Sequence, residues 1–318
     1  DYSRVPYSVY HDPDLYQLEM ERVFRGRCWS YLAFEAEVPK PGDFRTTWVG
    51  DTPVVVSRND DGQLHAFVNR CSHRGAQIVR EVSGHCKTDH VCIYHRWCYS
   101  PQGDLIGIPF QRGVRGQGGL DKSFEKSEHG LEPLRVEVFK DVVFGTFCSD
   151  TEPLSDYLGP MMREHIATLM KAPIKVLGYQ RQAIDGNWKL YAENLRDTYH
   201  ASLLHEFLVT FGLDRATQQG GVAMDDRHRH NPTFAVASSD SDAEANLAYG
   251  AHSLNSDKLT LRAPALLKFL PEFEDQRSLS ISSMFPNAAF QRLNNSLAVR
   301  QIQPKGVDKF VLAWTFFG

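Results

Sequence analysis

Two short Cys/His pairs constrain this chain more than anything else in it: Cys71-Ser72-His73 and, after 18 intervening residues, Cys92-Ile93-Tyr94-His95. Each pair falls where β-like runs give way to turns, so irregular backbone can aim all four donors at one place. Zinc is one reading, since two Cys and two His make an ordinary closed tetrahedral site. The spacing argues against it, because a zinc finger of that composition groups its histidines together. One Cys and one His from each loop suits an asymmetric 2Fe-2S cluster instead, with both thiolates on one iron and both imidazoles on the other. Exchanging two anionic thiolates for neutral imidazoles raises the reduction potential, which makes an easy electron acceptor and relay. His85, Cys86, His90 and Cys98 lie in the same stretch and are read as packing or surface side chains.

Charge and composition narrow the remaining classes. In 318 residues, 35 Lys+Arg against 39 Asp+Glu leave a formal charge of −4, without the cationic surplus that non-specific nucleic-acid binding needs. Hydrophobic residues make up 42%, enough for a core and against disorder. The six cysteines are too sparse for a disulfide scaffold. No uncharged apolar run approaches the ~18 residues of a membrane span, and the opening DYSRVPYSVYHDPD has no apolar stretch of a secretion signal. The expectation is a soluble, cytoplasmic protein.

The pattern along the chain predicts an α+β protein of about two domains. Asp12 and Pro13 signal a helix start, with Leu15, Leu18 and Phe24 as its apolar stripe. Residues 1–38 are expected to form a helical segment packing on the later domain. Residues 39–150 read as a small all-β domain with strands at Thr52–Ser57, Leu64–Asn69, Val91–Tyr94 and Val142–Phe147. Arg112–Leu120 is Gly-rich but lacks the strand and helix that flank a phosphate loop, and is read as surface loop. From 151 to 318 a second, larger domain is predicted: a helix over Leu154–Met170, a strand over Ile174–Ile184, a long helical region over Asn187–Phe207, a mobile loop at Ser238–Glu244, and two strands, Leu297–Gln303 and Phe310–Phe317, around a Pro304-Lys305-Gly306 turn. The last strand is apolar on both faces, which predicts cover from further chain or from a partner.

A second constellation lies in that helical region: Asp197, His200 and His205, spaced D-x2-H-x4-H. At about 100° per residue, His200 and His205 on one straight helix point about 140° apart. Two imidazoles sharing a metal therefore predict a distortion or helix end near Ala201–Leu203. Two histidines with a carboxylate are the facial triad that leaves positions open on non-haem iron for oxygen chemistry.

The residues around both constellations resemble those of one family. Cys71-Ser72-His73-Arg74-Gly75-Ala76 and Cys92 to Ser100 resemble the two loops of a Rieske iron–sulfur protein, with Arg96 standing where the family usually has Gly. Together with Arg4-Val5-Pro6, Gly42-Asp43-Phe44, Asn187-Trp188-Lys189 and Ala298-Val299-Arg300, they resemble the large (alpha) subunit of a Rieske non-haem iron ring-hydroxylating dioxygenase.

The resemblance implies a small Rieske domain beside a catalytic domain whose antiparallel sheet is covered by helices. It implies Cys71, His73, Cys92 and His95 as ligands of a 2Fe-2S cluster, and His200 and His205 as ligands of a mononuclear Fe(II). Asp197 becomes the acid bridging an iron-ligand His to His95 of a neighbouring subunit, and Asn194 a residue supporting the iron site. The third iron ligand, an acidic residue on a later helix in the family, is expected after Gly318; Glu193 is the weaker substitute within the chain. A homotrimer, a small beta subunit and a separate NAD(P)H-dependent reductase, with or without a ferredoxin, are the implied partners. No G-x-G-x-x-G stands between a strand and a helix, which also points to electrons from another protein. Within the family, Asn295–Gln301 is most similar to terephthalate dioxygenases, with salicylate and anthranilate oxygenases close. Arg300 is then the clamp for an aromatic carboxylate; an edge arginine reaching solvent is the alternative. An electron-carrying Rieske protein without oxygenase activity needs only the first constellation, and a zinc-dependent binding module would need no iron.

Overall fold

The computed structural model describes residues 4–86, 89–211, 218–236, 262–264, 270 and 272–318. Two compact units make up the chain: Pro13–Tyr157, and Asp1–Asp12 together with Leu158–Gly318. The expected Ser238–Glu244 loop lies outside the described residues. Among the described residues no helix is long and apolar enough to cross a membrane.

Helix α1 (Pro13–Glu19) opens the first unit and continues as a π turn over Met20–Phe24. Its buried stripe is Tyr16, Met20 and Phe24, at four-residue spacing, while Leu18 is exposed. The expected stripe through Leu15 and Leu18 is thus rotated. Gly50 (φ 58) makes room for this stripe, since a Cβ there would come within 2.9 Å of both Met20 and Phe24. The segment from Pro13 therefore belongs to the first unit, not to the later domain as expected from the sequence.

That unit contains a seven-stranded antiparallel sheet: β1 (Ser30–Phe34), β2 (Asp43–Val49), β3 (Thr52–Arg58), β4 (Leu64–Val68), β5 (Ser83–His85), and then, beyond a smaller sheet, β9 (Pro133–Phe139) and β10 (Val142–Thr146), in the order β1-β10-β9-β4-β3-β2-β5. β3 and β10 are buried on both faces, which is why TPVVVS and VVFGT read as unbroken apolar runs. The smaller sheet is β6 (His90–Val91), β7 (Cys98–Tyr99) and β8 (Leu105–Gly107). The strand expected over Val91–Tyr94 stops at Val91, because Cys92 onward turns back on itself.

In the second unit, α2 (Leu154–Leu169) starts before the unit boundary and is broken at Gly159 (φ 64), followed by Pro160. Behind it come β11 (Val176–Asp185), α3 (Trp188–Asn194), α4 (Ala201–Leu204), α5 (Glu206–Thr210), β12 (Gly220–Val222), β13 (Asn231–Val236), β14 (Arg277–Met284), β15 (Ala288–Leu293), β16 (Ser296–Gly306) and β17 (Lys309–Phe317). Strands β12 to β17 form an antiparallel meander, and β11 adds at the free side of β17. The β16–β17 turn falls at Val307-Asp308, two residues beyond the expected one. Asn187 fixes it there by donating from Nδ2 to the Val307 carbonyl (2.7 Å) while its Oδ1 caps α3 at the Lys189 N–H (3.0 Å).

Candidate metal centres and substrate cavity

The two Cys/His loops are built on one hydrogen-bond plan. The Cys71 N–H donates to the Ala76 carbonyl and the Cys71 carbonyl accepts from Gly75; Cys92 does the same with Trp97 and Arg96, all at 2.8–3.0 Å. The plan needs a left-handed residue four positions after each Cys. Gly75 (φ 72) meets it freely, whereas Arg96 (φ 59) does so at a cost of about 1–2 kcal/mol. The departure seen at Arg96 in the sequence is thus also a point of backbone strain. Asn69, which sequence reasoning missed, anchors the first loop: its Oδ1 accepts from Ile78 and Val79 and its Nδ2 donates to the Val79 carbonyl (2.7 Å).

This plan turns the thiols inward and the imidazoles outward. Cys71 and Cys92 are 4% and 1% exposed, while His73 and His95 are exposed with ring centroids 4.6 Å apart. His73 also stacks on Trp97 at 4.8 Å. Burial pushes the Cys71 thiol up, so a thiolate there calls for a cation to offset its desolvation. Among the described residues no three His, Cys, Asp or Glu side chains converge on one point. Thiols turned inward and imidazoles turned outward fit like pairs of donors divided between two irons.

Tyr99, fully buried, places its hydroxyl 3.0 Å from Cys71 Sγ and accepts from the Ser72 N–H (3.2 Å). A hydrogen bond to a cluster thiolate stabilises the more negative, reduced state. Tyr99→Phe is therefore expected to lower the potential of the loaded cluster by about 40 mV for each ~1 kcal/mol of that preference. Redox titration followed by electron paramagnetic resonance measures it, and an unchanged or raised potential contradicts the assignment.

The neighbouring Cys and His side chains have other engagements. His90 is buried edge-on between Phe44 and Phe67 (centroids 5.6 and 5.7 Å), and burial pushes its pKa down to about 4. His85 pairs with Asp43 at 3.0 Å. Cys86 and Cys98 donate to the carbonyls of Asp89 and Arg96.

Around the second constellation the structure corrects the helix expected over Asn187–Phe207. Three short helices replace it, and the break comes at His205 (φ −92, ψ 70), not at Ala201–Leu203, which form α4. Asp197 makes the turn ahead of α4, its Oδ1 accepting from the Tyr199 N–H (2.7 Å). With His200 at one end of α4 and His205 at the other, the imidazoles meet with centroids 5.1 Å apart. Their convergence comes from chain breaks, which the periodicity of a helix cannot encode. Asp197 Oδ2 lies 3.1 Å from His200 Nδ1, off the direction of a straight ring N–H bond. Asn194 Nδ2 lies 3.0 Å from Nε2 of the same ring. With Nδ1 facing Asp197, Nε2 is the nitrogen that His200 would offer to a divalent iron shared with His205, and Asn194 would give up its contact there to the metal. Glu193 points to solvent.

Beside these histidines a cavity of about 1050 Å³ opens against one face of the sheet. Leu279, Ile281, Leu293 and Leu312 give it an apolar wall, and Asn194, His200 and His205 share the lining. Arg300 enters from β16, where it pairs in register with Trp314. Its guanidinium lies 4.4 Å from the Trp314 ring centroid, and Nη1 donates to the Tyr191 hydroxyl at 2.8 Å. Arg300 is half-buried and lines the cavity. A second cavity of about 510 Å³ holds none of the expected site residues, and its Arg292 is already paired with Asp275.

A small β unit carrying two Cys/His loops, with a separate antiparallel sheet unit carrying a histidine pair over an apolar cavity, defines an iron–sulfur oxygenase architecture. Residues 28–118 match the Rieske [2Fe-2S] domain and residues 164–317 match the ring hydroxylating alpha subunit (catalytic domain). The chain is 45% identical over 319 residues to the terephthalate 1,2-dioxygenase terminal oxygenase component subunit alpha 2 of a Comamonas species, covering 99% of the chain and 76% of the relative. It is 42% identical over 320 residues to the anthranilate 1,2-dioxygenase large subunit of Burkholderia cepacia, covering 100% of the chain and 75% of the relative. Naphthalene 1,2-dioxygenase from a Rhodococcus species, solved with indole bound, superposes with a TM-score of 0.78 at 26% identity, over 99% of this chain and 73% of that one. The chain belongs to the Rieske ring-hydroxylating dioxygenase large-subunit family, whose cofactors are a 2Fe-2S cluster and a mononuclear iron.

Proposed function

We propose that this chain is the terminal oxygenase subunit that hydroxylates an aromatic carboxylate, in a terephthalate 1,2-dioxygenase-like cis-dihydroxylation. Arg300 carries the reading. It is a cation on the wall of a largely apolar cavity, Nε has no hydrogen-bond partner, and no described carboxylate lies within ion-pair reach. A half-buried guanidinium without an anion is costly, and a ring carboxylate supplies the missing charge. The two relatives named for terephthalate and anthranilate act on rings of that class. A salicylate- or anthranilate-type ring hydroxylation uses the same clamp and is the second reading.

In this reading Cys71, Cys92, His73 and His95 hold the cluster, and His200 and His205 hold the iron. Those centres supply single-electron relay and dioxygen activation. Asp197 couples them across subunits of a homotrimer, by linking His200 to His95 of a neighbouring copy. A small beta subunit completes the assembly, and a separate NAD(P)H-dependent reductase, directly or through a ferredoxin, delivers the electrons. Leu279, Ile281 and Leu312 keep water from the ring, and Arg300 turns its carboxylate away from the histidines.

Oxygen uptake and product analysis with a panel of benzoates, driven by a compatible reductase, test the reading. Arg300→Gln is expected to raise KM for carboxylates about 30-fold and to leave the corresponding methyl esters within about twofold. An equal loss on acids and esters would assign Arg300 to the fold alone.

A further inference from the structure

We infer that Tyr191 is a specificity-determining residue of the oxygenase site, its phenolic proton being the second donor, beside Arg300, to the carboxylate of the ring substrate. The inference rests on the aromatic-carboxylate reading and deepens it. Arg300 Nη1 donates to the Tyr191 oxygen at 2.8 Å, so in that bond the phenol is the acceptor. Its own proton remains to be given, and no described residue accepts it. Burial pushes the Tyr191 pKa up, with the Arg300 charge pulling the other way, so the hydroxyl keeps that proton at neutral pH. Arg300 Nε is likewise unspent. Both side chains line the same cavity, and a phenolic proton beside a guanidinium on an apolar wall is the complement of a carboxylate.

The surroundings hold this pair in place. Trp314 covers the guanidinium face at 4.4 Å, and its Nε1 donates to Gln182 Oε1 at 3.0 Å, fixing the indole plane. Tyr191 and Asn194 stand three residues apart on α3, hence on one face and about 4.5 Å apart along the axis. Asn194 in turn touches His200 at 3.0 Å. A single helical turn thus sets the offset between the carboxylate donors and the histidine pair. That offset decides which ring carbons face the reaction centre, so Tyr191 governs position of attack as well as affinity.

The test uses the assembled holoenzyme without its electron supply, titrated with benzoate and with toluene by calorimetry, in wild type, Tyr191→Phe, Arg300→Gln and the double variant. Tyr191→Phe is expected to weaken benzoate about fivefold, with toluene within twofold. In the double variant the two losses should fall well short of additive, since both donors serve one anion. Turnover of benzoate by Tyr191→Phe should also give a shifted product ratio and more oxygen consumed per product. If Arg300→Gln loses benzoate and Tyr191→Phe binds it as wild type does, the Tyr191 inference is overturned and the clamp stands. If Arg300→Gln itself binds benzoate normally, the carboxylate reading is overturned and the inference with it. Equal weakening of benzoate and toluene by Tyr191→Phe marks a purely structural tyrosine and also overturns the inference.

Discussion

His200→Ala is expected to keep the iron–sulfur absorption spectrum and to lose hydroxylation by at least about 10³-fold, with iron falling from about three to about two atoms per chain. The two effects separate because the cluster loops close on their own hydrogen bonds, Cys71 with Ala76 and Cys92 with Trp97, none of which involves the second unit. The histidine pair is different: with centroids only 5.1 Å apart, removing one ring takes half of the nitrogen donors from the site. Iron and acid-labile sulfide analysis, visible spectroscopy and product assays read the three quantities on one preparation. Retained hydroxylation would mean that the iron sits elsewhere. Zinc without sulfide in the wild type would end the redox account altogether, and two irons with no hydroxylation would leave only an electron carrier.

Asp197→Asn and Asp197→Ala are both expected to bind the cluster and the iron, yet to slow single-turnover electron transfer by at least about 10²-fold. The carboxylate stands 3.1 Å from His200 Nδ1, and the Tyr199 N–H, foremost, holds its pKa below the usual carboxylate range. The sign of the pH dependence follows: a carboxyl depressed in the folded state contributes fully above its unfolded value of about 3.9 and loses that contribution only as pH falls through the folded one. Asp197 is therefore charged throughout the neutral range, and its coupling role should not titrate there. The two substitutions differ in one respect. Asn keeps an acceptor for the Tyr199 N–H at the entrance to α4, whereas Ala opens that turn as well. Stopped-flow reoxidation of the pre-reduced holoenzyme separates charge from scaffold: equal slowing in both variants assigns the effect to the charge, and a normal rate in Asn removes Asp197 from the relay.

Much of the site could be read from local spacing because local backbone chemistry makes it. The Cys71 and Cys92 loops each close on bonds within six residues, so a short stretch of sequence carries the whole geometry. The apolar runs at Thr52–Ser57 and Val142–Phe147 were legible as strands, and the structure buries β3 and β10 on both faces. Within the helical region Asn187–Phe207 an interruption was legible, because two imidazoles about 140° apart on a straight helix cannot share a metal. Its place was not: Ala201–Leu203 are helical, and the chain breaks before α4 and at His205. His205 leaves helical geometry at ψ 70, and that break is what brings the imidazoles together. The N-terminal helix was placed with the wrong unit, since nothing within Pro13–Phe24 shows that Gly50 supplies the hollow for Met20 and Phe24.

The sequence by itself determined the two-centre plan and the family and proposed the donor set, because each rests on residue types at short fixed intervals. Only the tertiary structure decided what Arg300 faces. Its neighbours Tyr191, Trp314 and Gln182 come from a helix and two other strands, at separations of up to 118 residues, and pairing across a sheet is a property of register that no short interval records.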